Sequence, residues 1–233
     1  MLLAAATLAT AGCTSTVEGA ALPAAALSQT PATSSTRPAP QPLAASALEG
    51  LLLTQDQVVA LVGGANMTQV GTITNTSDAS KIIDERACLG LGSVADASLY
   101  SNSGWVAMRG NQFTTPNVVK ADVTQVVTSF TAPADAAALL QRARDDWQQC
   151  ANRRYGFHSS NGNHSQMDTG PVIGTGPRME VLLRQEEDPR WACSHAMAVQ
   201  NTVLAETRLC LISKDTGVAV NSLLDQLIAR IPQ

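Results

Sequence analysis

Thiols carry most of the reactive chemistry in this chain: Cys13, Cys88, Cys150, Cys193 and Cys210. Five is an odd number, so at most four can pair and one is left for another use. The last four are separated by 62, 43 and 17 residues and include no C-x-x-C pair. That spacing favours disulfides over a zinc site. Histidine is scarce, with only His158, His164 and His195, and neither H-E-x-x-H nor G-x-S-x-G is present. His158 and His164 flank the polar stretch Ser159-Ser160-Asn161-Gly162-Asn163 and read as surface-loop residues. No metal site, catalytic residue or cofactor is assigned from these groups. Gly90-Leu91-Gly92-Ser93-Val94-Ala95 has the form of a dinucleotide fingerprint, but no βαβ unit surrounds it. Asp145-Asp146 and Glu186-Glu187-Asp188 read as solvated charge rather than paired catalytic acids.

The leftover cysteine has a distinctive setting. Met1 to Gly12 is an uncharged apolar run, too short to span a bilayer, and it ends directly before Cys13. Ala11-Gly12-Cys13 resembles a bacterial lipobox, which implies cleavage after residue 12 and acylation, with palmitate or a similar chain, of Cys13. The pattern departs from the usual leader in having no Lys or Arg before the apolar run. Residues 13–45 then hold mainly Ala, Ser, Thr and Pro with Glu18 and Arg37 as the charges, so they read as an extended linker. Residues 46–233 remain for one folded domain. With 15 Lys+Arg against 19 Asp+Glu, the chain lacks the basic stripe that nucleic acid requires. Its 45% hydrophobic content excludes wholesale disorder.

Local patterns position the remaining cysteines. Thr54-Gln55-Asp56-Gln57 has the capping-box form and predicts a helix over 54–62, stopped by Gly63-Gly64. Residues 104–113 and 122–130 have strand composition. Ala136, Leu139, Leu140, Ala143, Trp147 and Cys150 recur every three or four residues, which predicts a helix over 134–150 with Cys150 facing inward. A similar stripe predicts a last helix over 218–231. Residues 191–212 read as a hairpin turning at Asn201-Thr202, a register that sets Cys193 opposite Cys210. Directly opposed Cβ atoms lie roughly 4.5–5.5 Å apart, which suits a disulfide. Cys88–Cys150 follows by elimination. One hairpin face carries small side chains (Ser194, Ala196, Ala198, Ala205) and can take a helix closely. The other is bulkier and mixed, and suits a groove.

These pieces resemble the PknH-like extracellular sensor domain family of mycobacteria. The resemblance rests on the early helix around Leu53 to Val62, the Cys88 segment and Gly104-Trp105-Val106-Ala107-Met108-Arg109-Gly110. Trp147-x-x-Cys150, Cys193-Ser194-His195-Ala196, Asn201-Thr202-Val203 and Cys210 complete it. It implies an α/β (α+β) fold: a twisted, mostly antiparallel sheet with helices packed on one face, two disulfides and a ligand cleft. No kinase domain stands within these 233 residues, so signalling through one is not carried over. Trp105 and Trp191 are either core residues or flat walls of the cleft. In the second case Arg109 or Arg208 would engage an anionic or polar group, and His195 would line the groove or support it. The functional expectation is a non-catalytic, lipid-anchored sensor or ligand-binding domain on the extracytoplasmic side of the cell membrane. Its partners would be an unidentified small-molecule or cell-envelope ligand and an envelope protein. A lipid or glycolipid carrier, needing a deep apolar cavity, is the alternative, and a hydrolase comes third.

Overall fold

The protein is described by a computed structural model over residues 40–63, 66–116, 121–158, 162–212 and 216–232. Helix α1 spans Ala45–Glu49 and α2 Gln55–Leu61, followed by strand β1, Thr68–Ile73. A 3-10 turn at Arg86–Cys88 leads into two single-turn helices, α3 (Leu89–Gly92) and α4 (Ala97–Tyr100). Strands β2 (Trp105–Thr114) and β3 (Ala121–Phe130) precede the long helix α5, Pro133–Cys150. Then come β4 (Arg154–His158), β5 (His164–Thr169), β6 (Arg178–Gln185), β7 (Trp191–Gln200), β8 (Val203–Ile212) and α6 (Gly217–Ala229). All eight strands form one antiparallel sheet in the order β1-β2-β3-β8-β7-β6-β5-β4.

Local chemistry accounts for the elements that sequence predicts. Thr54 Oγ1 accepts from the Gln57 amide and Gln57 Oε1 from the Thr54 amide, so the capping box starts α2 as expected. Gly63 follows with φ of 86°, while Gly64 lies outside the described residues. In α5 the six residues of the predicted stripe are the buried ones, and Pro133 occupies the first turn. Strands β7 and β8 meet through Asn201-Thr202 with Cys193 paired to Cys210 and His195 to Arg208, the register read from the sequence. Both disulfides form as deduced: Cys88–Cys150 with Cα atoms 5.2 Å apart and Cys193–Cys210 at 3.9 Å.

Two apolar layers flank the sheet. One joins α5, α3 and α4 to Met108, Val126, Met179, Met197 and Leu204. The other joins α1, α2 and α6 to Phe113, Val123, Val127, Ala196, Ala198, Ala205 and Leu209. Helices therefore cover both faces, which corrects the expectation of helices on one. The reason is visible in β3, whose residues are buried on both sides as only a central, doubly covered strand can be. The small face of the hairpin does receive a helix, α6. The folded unit also begins before Ser46: the Leu43 amide donates to Ser129 Oγ at 2.8 Å and Thr202 Oγ1 donates to the Gln41 carbonyl at 3.1 Å. Gln125 secures the α1–α2 connection, its buried amide both accepting from and donating to the Leu53 backbone at 3.0 and 2.7 Å.

The segment from Cys88 to Tyr100 is too short in each piece to hold itself, and a buried carboxylate fastens it. Glu206 on β8 is fully buried. The Ala95 amide donates to both its oxygens at 3.2 Å, and the Tyr100 hydroxyl donates to Oε2 at 2.7 Å. His195 Nε2 lies 2.9 Å from Oε1, while its Nδ1 donates to the Leu91 carbonyl at 2.8 Å. Trp147 of α5 closes over the His195 ring with centroids 4.5 Å apart. Burial and the Glu206 charge hold the Tyr100 hydroxyl well above the ordinary phenol range, so it stays a donor. Ala95 has φ of 54°, a left-handed conformation costing an alanine roughly 1–2 kcal/mol, and the bond to Glu206 offsets it.

Truncating one partner of such a buried network leaves the rest unsatisfied. Glu206→Ala should lower unfolding free energy by about 3–5 kcal/mol and Tyr100→Phe by about 1–3 kcal/mol in urea titrations. A Glu206→Ala protein as stable as the parent would contradict the assignment. Replacing both cysteines of the Cys88–Cys150 pair by Ala should cost about 4 kcal/mol and of the shorter-loop pair about 3 kcal/mol. The reverse order would show that chain entropy does not govern the two clasps.

Candidate functional site

Along the hairpin, the face bearing Cys193 changes character. His195, Met197, Leu204 and Glu206 lie beneath α3 and α5, fully buried, whereas Trp191, Cys193, Arg208 and Cys210 open into a cleft of about 510 Å³. Half of the mixed face is thus sealed core and half is groove. Phe157, Ser165 and Met167 from β4 and β5 form one wall, Leu183 and Trp191 extend the floor, and Gly92 with Asp122 borders the far side. The volume lies within the range of small-molecule sites, roughly 300–1,000 Å³.

The polar chemistry of the cleft is concentrated in Arg208 and Asp122. Arg208 Nη1 donates to the Gly92 carbonyl at 2.6 Å, and Nη2 approaches Asp122 Oδ1 no closer than 3.7 Å. Asp122 Oδ2 accepts from Gln112 Nε2 at 2.8 Å. Arg208 Nε and Asp122 Oδ1 are shielded from solvent with no hydrogen-bond partner. The two charges are thus only loosely paired, on side chains that retain 22% and 14% exposure at the cleft, where a polar ligand can compete for the guanidinium. Burial raises the Tyr155 phenol at the base of the cleft, and the Arg208 charge works against that rise. Gly92 is required here by close approach. A Cβ on it would lie 2.6 Å from Ile83 Cδ1 and 2.8 Å from Tyr155 Oη. Gly90 and Gly92 lie within the single-turn helix α3 that follows the disulfide at Cys88, not in a phosphate loop after a strand.

The five residues expected around a ligand do not meet in one place. Trp191 and Arg208 share the cleft. His195 lies beneath it, fully buried, and supports Glu206 and Leu91 instead of facing a ligand. Trp105 packs at the edge of the α5 layer. Arg109 lines a separate depression of about 520 Å³ with Glu49, Leu52, Gln69 and Asn111, and donates to the Met108 carbonyl. An extra residue in β2 separates the pair: the ladder shifts between Trp105 and Ala107, so Trp105 and Arg109 face opposite sides despite their even spacing.

His158 and His164 also differ from expectation. They are the last residue of β4 and the first of β5, directly opposed in the ladder. Asp84 meets both, its Oδ1 2.6 Å from His158 Nε2 and its Oδ2 3.4 Å from His164 Nε2. The His158 hydrogen bond, more than that of His164, holds the Asp84 carboxyl below the usual range. The spacing of the two histidines on either side of a short polar stretch was the available signal, and nothing in the sequence pointed to Asp84.

Comparison with known proteins agrees with the architecture. The family model for the PknH-like extracellular domain matches residues 43–230. The serine/threonine-protein kinases PknH of Mycobacterium bovis and Mycobacterium tuberculosis are each 26% identical over 193 residues, 82% of this chain. The chain spans 31% and 30% of the length of those two proteins. The crystal structure of the extracellular domain of PknH from Mycobacterium tuberculosis superposes with a TM-score of 0.74 at 23% identity, covering 82% of this chain and 97% of that one. Among the described residues no helix is long and apolar enough to cross a membrane. By the extent of the family match and the shared sheet, this chain belongs to the PknH-like extracellular domain family.

Proposed function

We propose that the chain is a sensor domain held on the outer side of the cell membrane by a lipid on Cys13, and that it binds a small polar or anionic ligand in the Arg208 cleft. The observation that carries this reading is the loose Arg208–Asp122 pair, 3.7 Å apart, on the lining of a cavity walled by Trp191, Phe157 and Met167. Apolar walls supply contact area and the guanidinium supplies orientation, the usual division of labour in a small-molecule site. A lipid carrier fits less well, because a charged pair stands where an acyl chain would lie.

The same lining supports binding without catalysis. Among the described residues no histidine lines the cleft, and its two cysteines are joined to each other. Ser165 Oγ accepts from Gln185 Nε2 at 3.0 Å rather than facing a base. Kinase activity is no part of this reading, since the similarity covers under a third of each kinase.

Two measurements test it. Native mass spectrometry of the protein purified from its own envelope should show a small polar or anionic species, and Arg208→Ala should lose it at least tenfold. A co-purifying lipid retained by the Arg208 variant would support the carrier instead. Radiolabelled palmitate should enter the wild-type chain and not Cys13→Ser, which should move from the membrane to the soluble fraction. Labelling that persists in the variant would remove the anchor from the account.

A further inference from the structure

We propose that Asp84, His158 and His164 form a site for a divalent transition-metal ion of the zinc type, with water completing the coordination. The three side chains come from neighbouring extended segments. Ile83 bridges Phe157, which lays the 82–84 segment along β4, and β4 pairs with β5 so that His158 opposes His164. Strand alternation then puts Asp84, Gly156, His158 and His164 on one side of this edge, with Phe157 and Ser165 on the other, facing the cleft. One ligand atom from each of the three side chains lies within 4.8 Å of the others. A tetrahedral ion with bonds of about 2.0–2.2 Å holds its ligand atoms about 3.4 Å apart, the distance already observed between His164 Nε2 and Asp84 Oδ2, 3.4 Å. Imidazole nitrogen and carboxylate oxygen are the donors this ion class prefers, and a three-ligand set leaves an open position.

A second feature indicates that this convergence is built. Gly156 lies at the centre of the cluster, and a Cβ on it would stand 1.9 Å from Asp84 Oδ2 and 2.8 Å from His164 Nε2. Any side chain there would push the carboxylate and the imidazole apart. The hollow at Gly156 serves the approach of the ligands. An ion in it would tie the 82–84 segment to the β4–β5 hairpin and fasten the cleft wall that carries Phe157.

The test uses the full, untagged chain with both disulfides intact and Zn2+ alone as the probe, titrated against a chromophoric chelator. One equivalent should bind, and His158→Ala, His164→Ala and Asp84→Asn should each weaken binding at least tenfold. Gly156→Ala should do the same without removing a ligand. Asp188→Asn, at a half-buried carboxylate paired with Arg190 instead, should leave the affinity unchanged. Co2+ added to the wild-type chain should give the intense visible bands of a low-coordinate histidine site, a readout independent of any variant's folding. Absence of stoichiometric binding, binding indifferent to both histidine substitutions, or a spectrum of hexa-aqua Co2+ would overturn the assignment.

Discussion

A carboxylate without solvent needs every oxygen occupied, and that requirement at Glu206 organises the α5 side of this domain. Its partners come from three places: His195 on the adjacent strand, Tyr100 at the end of α4 and the Ala95 amide in the connecting loop. None of α3, α4 or the 3-10 turn is long enough to be stable alone. Together with Cys88–Cys150 and the Arg208 bond to Gly92, the carboxylate turns a chain of single turns into a fixed wall. That wall covers half of the β7–β8 face and ends where the cleft begins.

The division of the sheet follows from alternation. On β8, Leu204, Glu206, Arg208 and Cys210 point to the α5 side and Val203, Ala205 and Leu209 to the α6 side. The small residues of the second set let α6 close over the sheet. The larger, polar residues of the first set are sealed where α3 and α5 reach them and open where they do not. The cleft is therefore the uncovered remainder of a core face, floored by a disulfide, which explains how an arginine and an aspartate come to be nearly buried there.

Much of this was legible because the signals were long. The eighteen-residue α5 shows its stripe, and the ten-residue arms of β7 and β8 with a two-residue turn set the cysteine pairing. The edge hairpin β4–β5 stayed hidden because its strands have five and six residues and polar outer positions such as Arg154, His158 and Gln166. The four-residue helices α3 and α4 are below the length at which periodicity can be read. Of the ligand contacts expected, Trp191 and Arg208 share the cleft. Trp105 and Arg109 were separated by one inserted residue in β2, an irregularity no residue type announces. His195 was recognised as supporting or lining, and its role as support depends on Leu91 and Glu206, which only tertiary structure brings to its two nitrogens.

The central claim is that Glu206 clamps the Cys88–Tyr100 wall to the sheet, and native-state hydrogen exchange of the Ala95 amide measures it most directly. That amide lies in a short connection with no helix or strand of its own, yet it donates to a fully buried acid. The account predicts protection as strong as that of the central strand β8, lost only in global unfolding. Exchange at the rate of an open surface loop would contradict it.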